Sequence, residues 1–157
     1  FTYIGNDTQI QSIAEEFFLT RPINGKFIAE DARIFFNRID PHFDVIISDA
    51  YKNINTLPTY LITRDYLRKI HSKLNLNGLA VFNIIAAPFF EDRYSKGIDN
   101  TLSSVFKNCI KMPQDFKKQY VNIIYICKKS PSEKISTIYT DDLNQASWDQ
   151  ITSLPIQ

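Results

Sequence analysis

Glycine is scarce in this chain of 157 residues: Gly5, Gly25, Gly78 and Gly97 are the only four, and no two are spaced to form a phosphate-cradling loop. Cysteine is scarcer. Cys109 and Cys127 both lie in apolar runs without the Cys or His neighbours of a zinc site, and they suggest no disulfide framework. A cytoplasmic setting is therefore the default. Of the two histidines, His42 stands beside Pro41 in a turn and His71 on a charged helix face. Both read as surface residues, so neither a metal site nor a hydrolytic triad can be assembled, and no serine occupies a nucleophile elbow. An excess of one charge is also missing: 18 Lys and Arg against 17 Asp and Glu leave a net +1, which excludes a strong field for nucleic acid or an anionic membrane. No apolar run approaches the roughly 20 residues of a membrane-spanning helix, and the first residues lack the regions of a signal peptide. Phe1 stands where Met would begin a gene product, which raises the expectation that upstream sequence is missing.

What remains is 44% apolar, 13% aromatic and 22% charged residues, the composition of one globular domain spanning residues 1–157. A chain of this size can bury roughly 70% of its unfolded surface without staples. Strands and helices alternate along it. Phe1 to Ile4 reads as a strand, and Asp7 or Thr8 can cap a helix whose apolar face is Ile10, Ile13, Ala14, Phe17 and Phe18. Lys26 to Ala29 is a second strand, followed by an Asp31-capped helix that ends before Pro41. Phe43 to Ser48 is nearly continuous and β-branched, as expected of a central strand covered on both faces. Thr63 caps a helix through Leu67, Ile70 and Leu74, with Gly78 expected as its left-handed end. Leu79 to Ile85 is a further strand. A helix from Asp99 or Asn100 carries Leu102, Val105, Phe106 and Cys109, and Tyr120 to Cys127 is the last strand. Phe89, Phe90 and Tyr94 either form an aromatic lid or close the core, with the core favoured because no basic residues accompany them. Such alternation predicts an α/β fold with a doubly wound, mostly parallel sheet, whose ligands gather at the carboxyl ends of the strands.

Several segments in order carry a resemblance: Gly5-Asn6-Asp7-Thr8, Asp31-Ala32-Arg33, Phe43 through Tyr51, then Pro58, Leu61 and Thr63, Asn77 through Asn83, and Thr140-Asp141-Asp142. In sequence and spacing they resemble the spermidine synthase (aminopropyltransferase) family. The resemblance implies a methyltransferase-like Rossmann fold that binds an adenosyl sulfonium, S-adenosylmethionine or its decarboxylated form, and transfers an aminopropyl group to a small-molecule amine. It implies no metal, and a homodimer is possible. On the family's pattern, Asp31 and Ala32 match the adenine-binding pair, with helix capping by Asp31 as the alternative. Asp7 is either a ligand contact or a helix cap. Asp49 matches the first of two aspartates at the transfer centre, where a carboxylate orients the amine and accepts its proton.

Three departures stand beside the match. Gly5 occupies the position of the family's ribose-binding acid. Lys52 occupies that of the second aspartate, and two like charges at about 4 Å cost on the order of 4 kcal/mol at an effective dielectric near 20, roughly a thousandfold in affinity. The family's first strand and its glycine-rich loop are absent, which would leave unpaired backbone groups on both neighbouring strands, so the missing strand is expected to be supplied by upstream residues, by another chain or by rearranged pairing. Aminopropyl transfer, methyl transfer to another acceptor and a non-catalytic assembly module are the three functions compatible with this pattern.

Overall fold

The computed structural model describes residues 1–51, 57–129, 139–142 and 145–153. They fall into two compact units, Phe1–Asp40 and Pro41–Gln157. In the first, β1 (Thr2–Gly5) and β2 (Lys26–Ala29) pair in parallel, with Thr2 opposite Lys26 and Gly5 opposite Ala29. The crossover helix α1 (Ile10–Phe17) has its apolar residues at the expected spacing, yet none of them is buried, and Phe17 is 67% exposed. After β2, Asp31 caps α2 (Ala32–Arg38), accepting from the Arg33 and Ile34 amides at 2.8 and 3.2 Å. Phe35 and Phe36 are buried and meet edge to face.

The second unit runs β3 (Phe43–Ser48), a single 3-10 turn (Thr59–Leu61), α3 (Arg64–Lys73), β4 (Leu74–Ala86), α4 (Arg93–Ser103), β5 (Asn108–Pro113), β6 (Val121–Lys128) and α5 (Ala146–Ser153). Its sheet has the order β3-β4-β6-β5. β3, β4 and β5 run in one direction and β6 alone opposes them, so the sheet is mostly parallel, as the alternation predicts. The strand expected to be central, β3, instead ends the sheet with β4 as its sole strand partner among the described residues, and β1 likewise pairs only with β2. Among the described residues no rearranged pairing within the chain supplies the missing strand.

Because side chains alternate across a strand, the four-stranded sheet has two distinct faces. Ile46, Ala80, Phe82, Ile84, Val121, Ile123, Tyr125 and Cys127 share one, and none is more than 7% exposed. Over this face lie Tyr66, Leu67 and Ile70 of α3 and Tyr94, Ile98 and Leu102 of α4, all buried. The Tyr125 hydroxyl donates to Asp99 of α4 at 3.1 Å and fixes helix to sheet.

Four sequence expectations need correction. Gly78 is required by a close approach, not by a left-handed backbone: a Cβ there would lie 3.0–3.2 Å from the carbonyl oxygens of Asn75, Phe43 and Asp44, while Asn77 takes the positive φ of 65°. Helix α4 starts at Arg93 rather than near Asp99, because Asp92 accepts from the Ser95 amide and hydroxyl at 2.9 and 2.6 Å and so caps an earlier turn. Cys109 then belongs to β5, directly opposite Cys127 of β6, and with a Cα separation of 4.1 Å the two form a disulfide. His71 is partly buried, edge to face with Phe106 at 5.4 Å, because its helix face turns toward the core; His42 is exposed as expected.

Candidate functional site

Every sequence-derived candidate lies just past the carboxyl end of a strand. In the first unit, the parallel pairing puts Asp7 and the Asp31-Ala32 pair at the same end of the two-stranded sheet. Asp7 does not cap α1, whose capping residue is Gln9; its Oδ1 instead accepts from the Gln9 amide at 2.8 Å. The Oδ1 of Asp31 carries both capping bonds to α2, and Ala32 is the first residue of that helix.

In the second unit, register explains the geometry around Asp49. Ser48 stands opposite Phe82 in the β3–β4 ladder, so the next residue of each strand, Asp49 and Asn83, are also neighbours. The Asn83 side-chain amide donates to Asp49 Oδ1 at 2.9 Å. That bond fixes which way the amide points: Nδ2 faces the carboxylate and Oδ1 faces away from it. The Oδ1 atom is buried and has no hydrogen-bond partner among the described residues, a situation that costs roughly 1–3 kcal/mol unless a donor arrives. Asp49 is exposed and forms no ion pair among the described residues.

Tyr51, two residues beyond Asp49, donates its hydroxyl to the Asn83 main-chain carbonyl at 3.0 Å. Burial pushes its ionisation above the ordinary phenol range; the Ile85 amide acts against this, and the Asp49 charge adds to it. The phenol therefore stays neutral and keeps donating at physiological pH, which ties the post-β3 loop to β4. Tyr94 of α4 is pushed up as well, first by burial and then by Tyr51 and Asp92, and accepts from the Gln150 side chain of α5 at 3.2 Å. Tyr120, at the start of β6, is raised by burial and by Asp92. One end of the sheet thus gathers a carboxylate, an unpartnered amide oxygen and neutral phenols. Such an arrangement of acceptors and aromatic rings suits a cationic or donor-rich group.

Lys52, on which the electrostatic objection to an amine rests, lies outside the described residues. Of the late triplet, Asp141 accepts from Thr63 at 3.1 Å and its amide donates to Asp65, so this residue ties the C-terminal segment to the start of α3. Phe89 is 61% exposed beside Phe116, whereas Phe90 stacks toward Tyr125 and Tyr94 is buried, so the aromatic loop is divided between surface and core. Sequence reasoning gave Asn83 and Tyr51 no role of their own. The available signal was an amide inside the apolar run Leu79 to Ile85, where only a bonded polar side chain is tolerated. Among the described residues no group of three or more His, Cys, Asp or Glu is placed to hold a metal ion, and no described helix is long and apolar enough to cross a membrane.

The α/β architecture, with three codirectional strands and one opposing strand, matches methyltransferase-like Rossmann folds among solved structures. The likeness in fold extends to spermidine synthases. A probable spermidine synthase from Corynebacterium glutamicum ATCC 13032 superposes with a TM-score of 0.66 at 21% identity, over 99% of this chain and 61% of that one. A spermidine synthase in complex with the transition-state analogue AdoDATO gives 0.62 at 13% identity, over 99% and 58%. SMU.776, a candidate methyltransferase complexed with SAH, gives 0.51 at 16%, over 80% and 38%. The chain therefore spans less than two thirds of the length of the relatives it matches. No family model and no curated protein matches it.

Proposed function

We propose that this chain is a divergent spermidine-synthase-like transferase scaffold. It binds an adenosyl sulfonium, S-adenosylmethionine or its decarboxylated form, and directs a primary amine at the carbon beside sulfur. In the transfer the amine nitrogen bonds to that carbon, the carbon–sulfur bond breaks with its electron pair going to sulfur, and the ammonium proton passes to Asp49. The sulfonium supplies the activation, so the protein contributes mainly alignment and counter-charge. The observation that carries the reading is the exposed Asp49 carboxylate, level with Asn83 at the carboxyl end of β3 and held there by a 2.9 Å hydrogen bond. On the resemblance, Asp7, Asp31 and Ala32 are proposed to hold the adenosyl group, a reading supported by their places after β1 and β2.

The test is formation of methylthioadenosine from decarboxylated S-adenosylmethionine and putrescine. The reading expects turnover that falls at least a hundredfold in Asp49→Asn. Methyl transfer from intact S-adenosylmethionine, with no use of the decarboxylated form, would favour the second enzymatic reading, to which the likeness to SMU.776 lends support. A third reading, a non-catalytic assembly module, rests on the apolar side chains left exposed on the sheet, Ile47 at 71% and Ile110 at 64% among them. Absence of binding to any adenosyl ligand would favour it.

A further inference from the structure

The chain's only two cysteines meet at the edge of the four-stranded sheet, and their surroundings are unequal. Cys109 and Cys127 stand directly opposite in the β5–β6 ladder and are joined by a disulfide. Cys127 is fully buried, and its partner in the β4 ladder, Ala80, is fully buried too. Cys109 is partly exposed and belongs to β5, which ends the sheet and pairs with β6 alone among the described residues. Access decides which sulfur of a disulfide an incoming thiolate attacks, and here only Cys109 offers it. Two residues further along β5, and so on the same side of the strand, Lys111 forms an ion pair with Asp99 of α4 and lies over the rings of Phe90 and Tyr125, at 5.0 and 6.0 Å. The connection from β5 to β6 adds a second tie, Phe116 against Phe89 at 5.7 Å. Both ties hold the segment that follows β4. Phe90 in that segment has a positive φ of 55°, a backbone state that a bulky residue keeps only while its contacts hold it there.

From this asymmetry we propose that the Cys109–Cys127 bridge is a redox switch, worked by a protein dithiol, that sets the freedom of β5 and of the segment after β4. One thiolate of the reductant bonds to Cys109 Sγ, the Cys109–Cys127 bond breaks, and its electron pair leaves on Cys127, which takes a proton. The second thiolate of the reductant then bonds to the first, closing the reductant's own disulfide and releasing Cys109. The chain gains two electrons and two protons, and the dithiol loses them. Burial keeps the Cys127 thiol protonated and inert, so it does not reverse the first step. Two thiols need van der Waals separation where bonded sulfurs sat at covalent distance. Cys127 is enclosed in the core, so Cys109 and its edge strand must yield. With them go Lys111 and the connection that carries Phe116, and Phe90 and Phe89 lose these partners. The loosened segment lies just past the carboxyl end of β4, the end of the sheet at which Asp49 stands. The switch needs neither an adenosyl ligand nor an amine, so it is independent of the function proposed above.

The experiment compares the folded wild-type chain in its oxidised form with the same chain after incubation with reduced thioredoxin, without denaturant. The bridge should be reduced within minutes. Hydrogen exchange, read over seconds to minutes, should then rise at least about tenfold in residues 87–92 and 108–113 and by less than about twofold in α3. A bridge that stays oxidised until denaturant is added is purely structural and overturns the inference. Reduction that leaves exchange unchanged in the two segments, or raises it equally in α3, overturns it as well. The order of attack is read by incubating the oxidised chain with thioredoxin whose second cysteine is replaced by serine, which halts the exchange at the mixed disulfide. Peptide mass mapping should find the trapped reductant on Cys109. A trap on Cys127, or an equal division between the two cysteines, would contradict the proposed mechanism.

Discussion

The two faces of the four-stranded sheet are built from the same strands and similar side chains, yet only one is enclosed. On the covered face, Ile46, Ala80, Phe82, Ile84, Val121, Ile123, Tyr125 and Cys127 are buried, and hydroxyl bonds such as Tyr125 to Asp99 lock helix to sheet. On the open face, Val45, Ile47, Ile110 and Met112 are 50%, 71%, 64% and 52% exposed, and their ladder neighbours Leu79, Val81, Ile124 and Ile126 are partly exposed. Near-continuous apolar strands such as Val45-Ile46-Ile47 and Ile123-Ile124-Tyr125-Ile126 are the pattern of a sheet covered on both sides. The contrast shows that strand sequence encodes a fully covered sheet, while the stabilising contacts of these residues come from one side. Asn83, opposite Ile124 in the β4–β6 ladder, belongs to the open face, and its hydrogen bond to Asp49 follows from the β3–β4 register.

The largest expected effect lies on the covered face. Phe106 is fully buried against Phe82 and His71, so Phe106→Ala should cost about 3–5 kcal/mol. Urea denaturation reads it, and a loss below 1 kcal/mol would mean that the covered face is not the seat of stability. Next comes the Cys109–Cys127 bridge, which closes a loop of sequence separation 18 and joins the edge strand β5 to β6. Its reduction should lower stability by roughly 3 kcal/mol, seen as a drop in Tm on adding dithiothreitol, and an unchanged Tm would show that β5 is held by its ladder alone.

A pH dependence follows in size. The phenols of Tyr125, Tyr139, Tyr94 and Tyr51 are all raised, burial being the first cause in each. In the unfolded chain they ionise near 10. Below that value both states hold the protons and the contribution is fully present; as pH rises through 10, the unfolded state releases protons that the folded state retains, and stability falls. Denaturation midpoints should therefore stay level with respect to these groups to about pH 9 and decline above 10. Absorbance at 295 nm should show fewer than the eight tyrosines of the chain ionising before unfolding. The smallest effect belongs to the open face: Ile47→Lys should change stability by no more than about 0.5 kcal/mol. A loss above 2 kcal/mol would break the contrast, since it would mean that this face is enclosed in solution.

The parts of the fold legible in sequence were those where period and cap agreed. Lys26–Ala29 and Phe43–Ser48 were bounded correctly because β-branched and aromatic runs ended at turn residues, and the Asp31 and Thr63 caps were visible as oxygen-bearing side chains ahead of apolar helices. Helix α4 was begun too late because Asp99 and Asn100 offered capping side chains, whereas Asp92 is the cap. In the folded chain a Cβ at Gly97 would collide with the Tyr139 hydroxyl, so the glycine gives room to a side chain 42 positions away, which no local pattern reveals. β5 was absorbed into that helix since Phe106 and Cys109 also fit a helical spacing, and the disulfide was lost with it. The place of Asp49 just past a strong strand was legible. Its hydrogen bond to Asn83 was not, because it follows from the register between β3 and β4, which only pairing establishes.

The central claim is that Asp49 is the ligand carboxylate of an adenosyl-sulfonium scaffold, and calorimetric titration with decarboxylated S-adenosylmethionine tests it most directly. The account predicts saturable binding to the wild-type chain that weakens at least tenfold in Asp49→Asn, with preserved thermal stability in the variant. Equal affinity in both proteins, or no heat from the wild type, would contradict it.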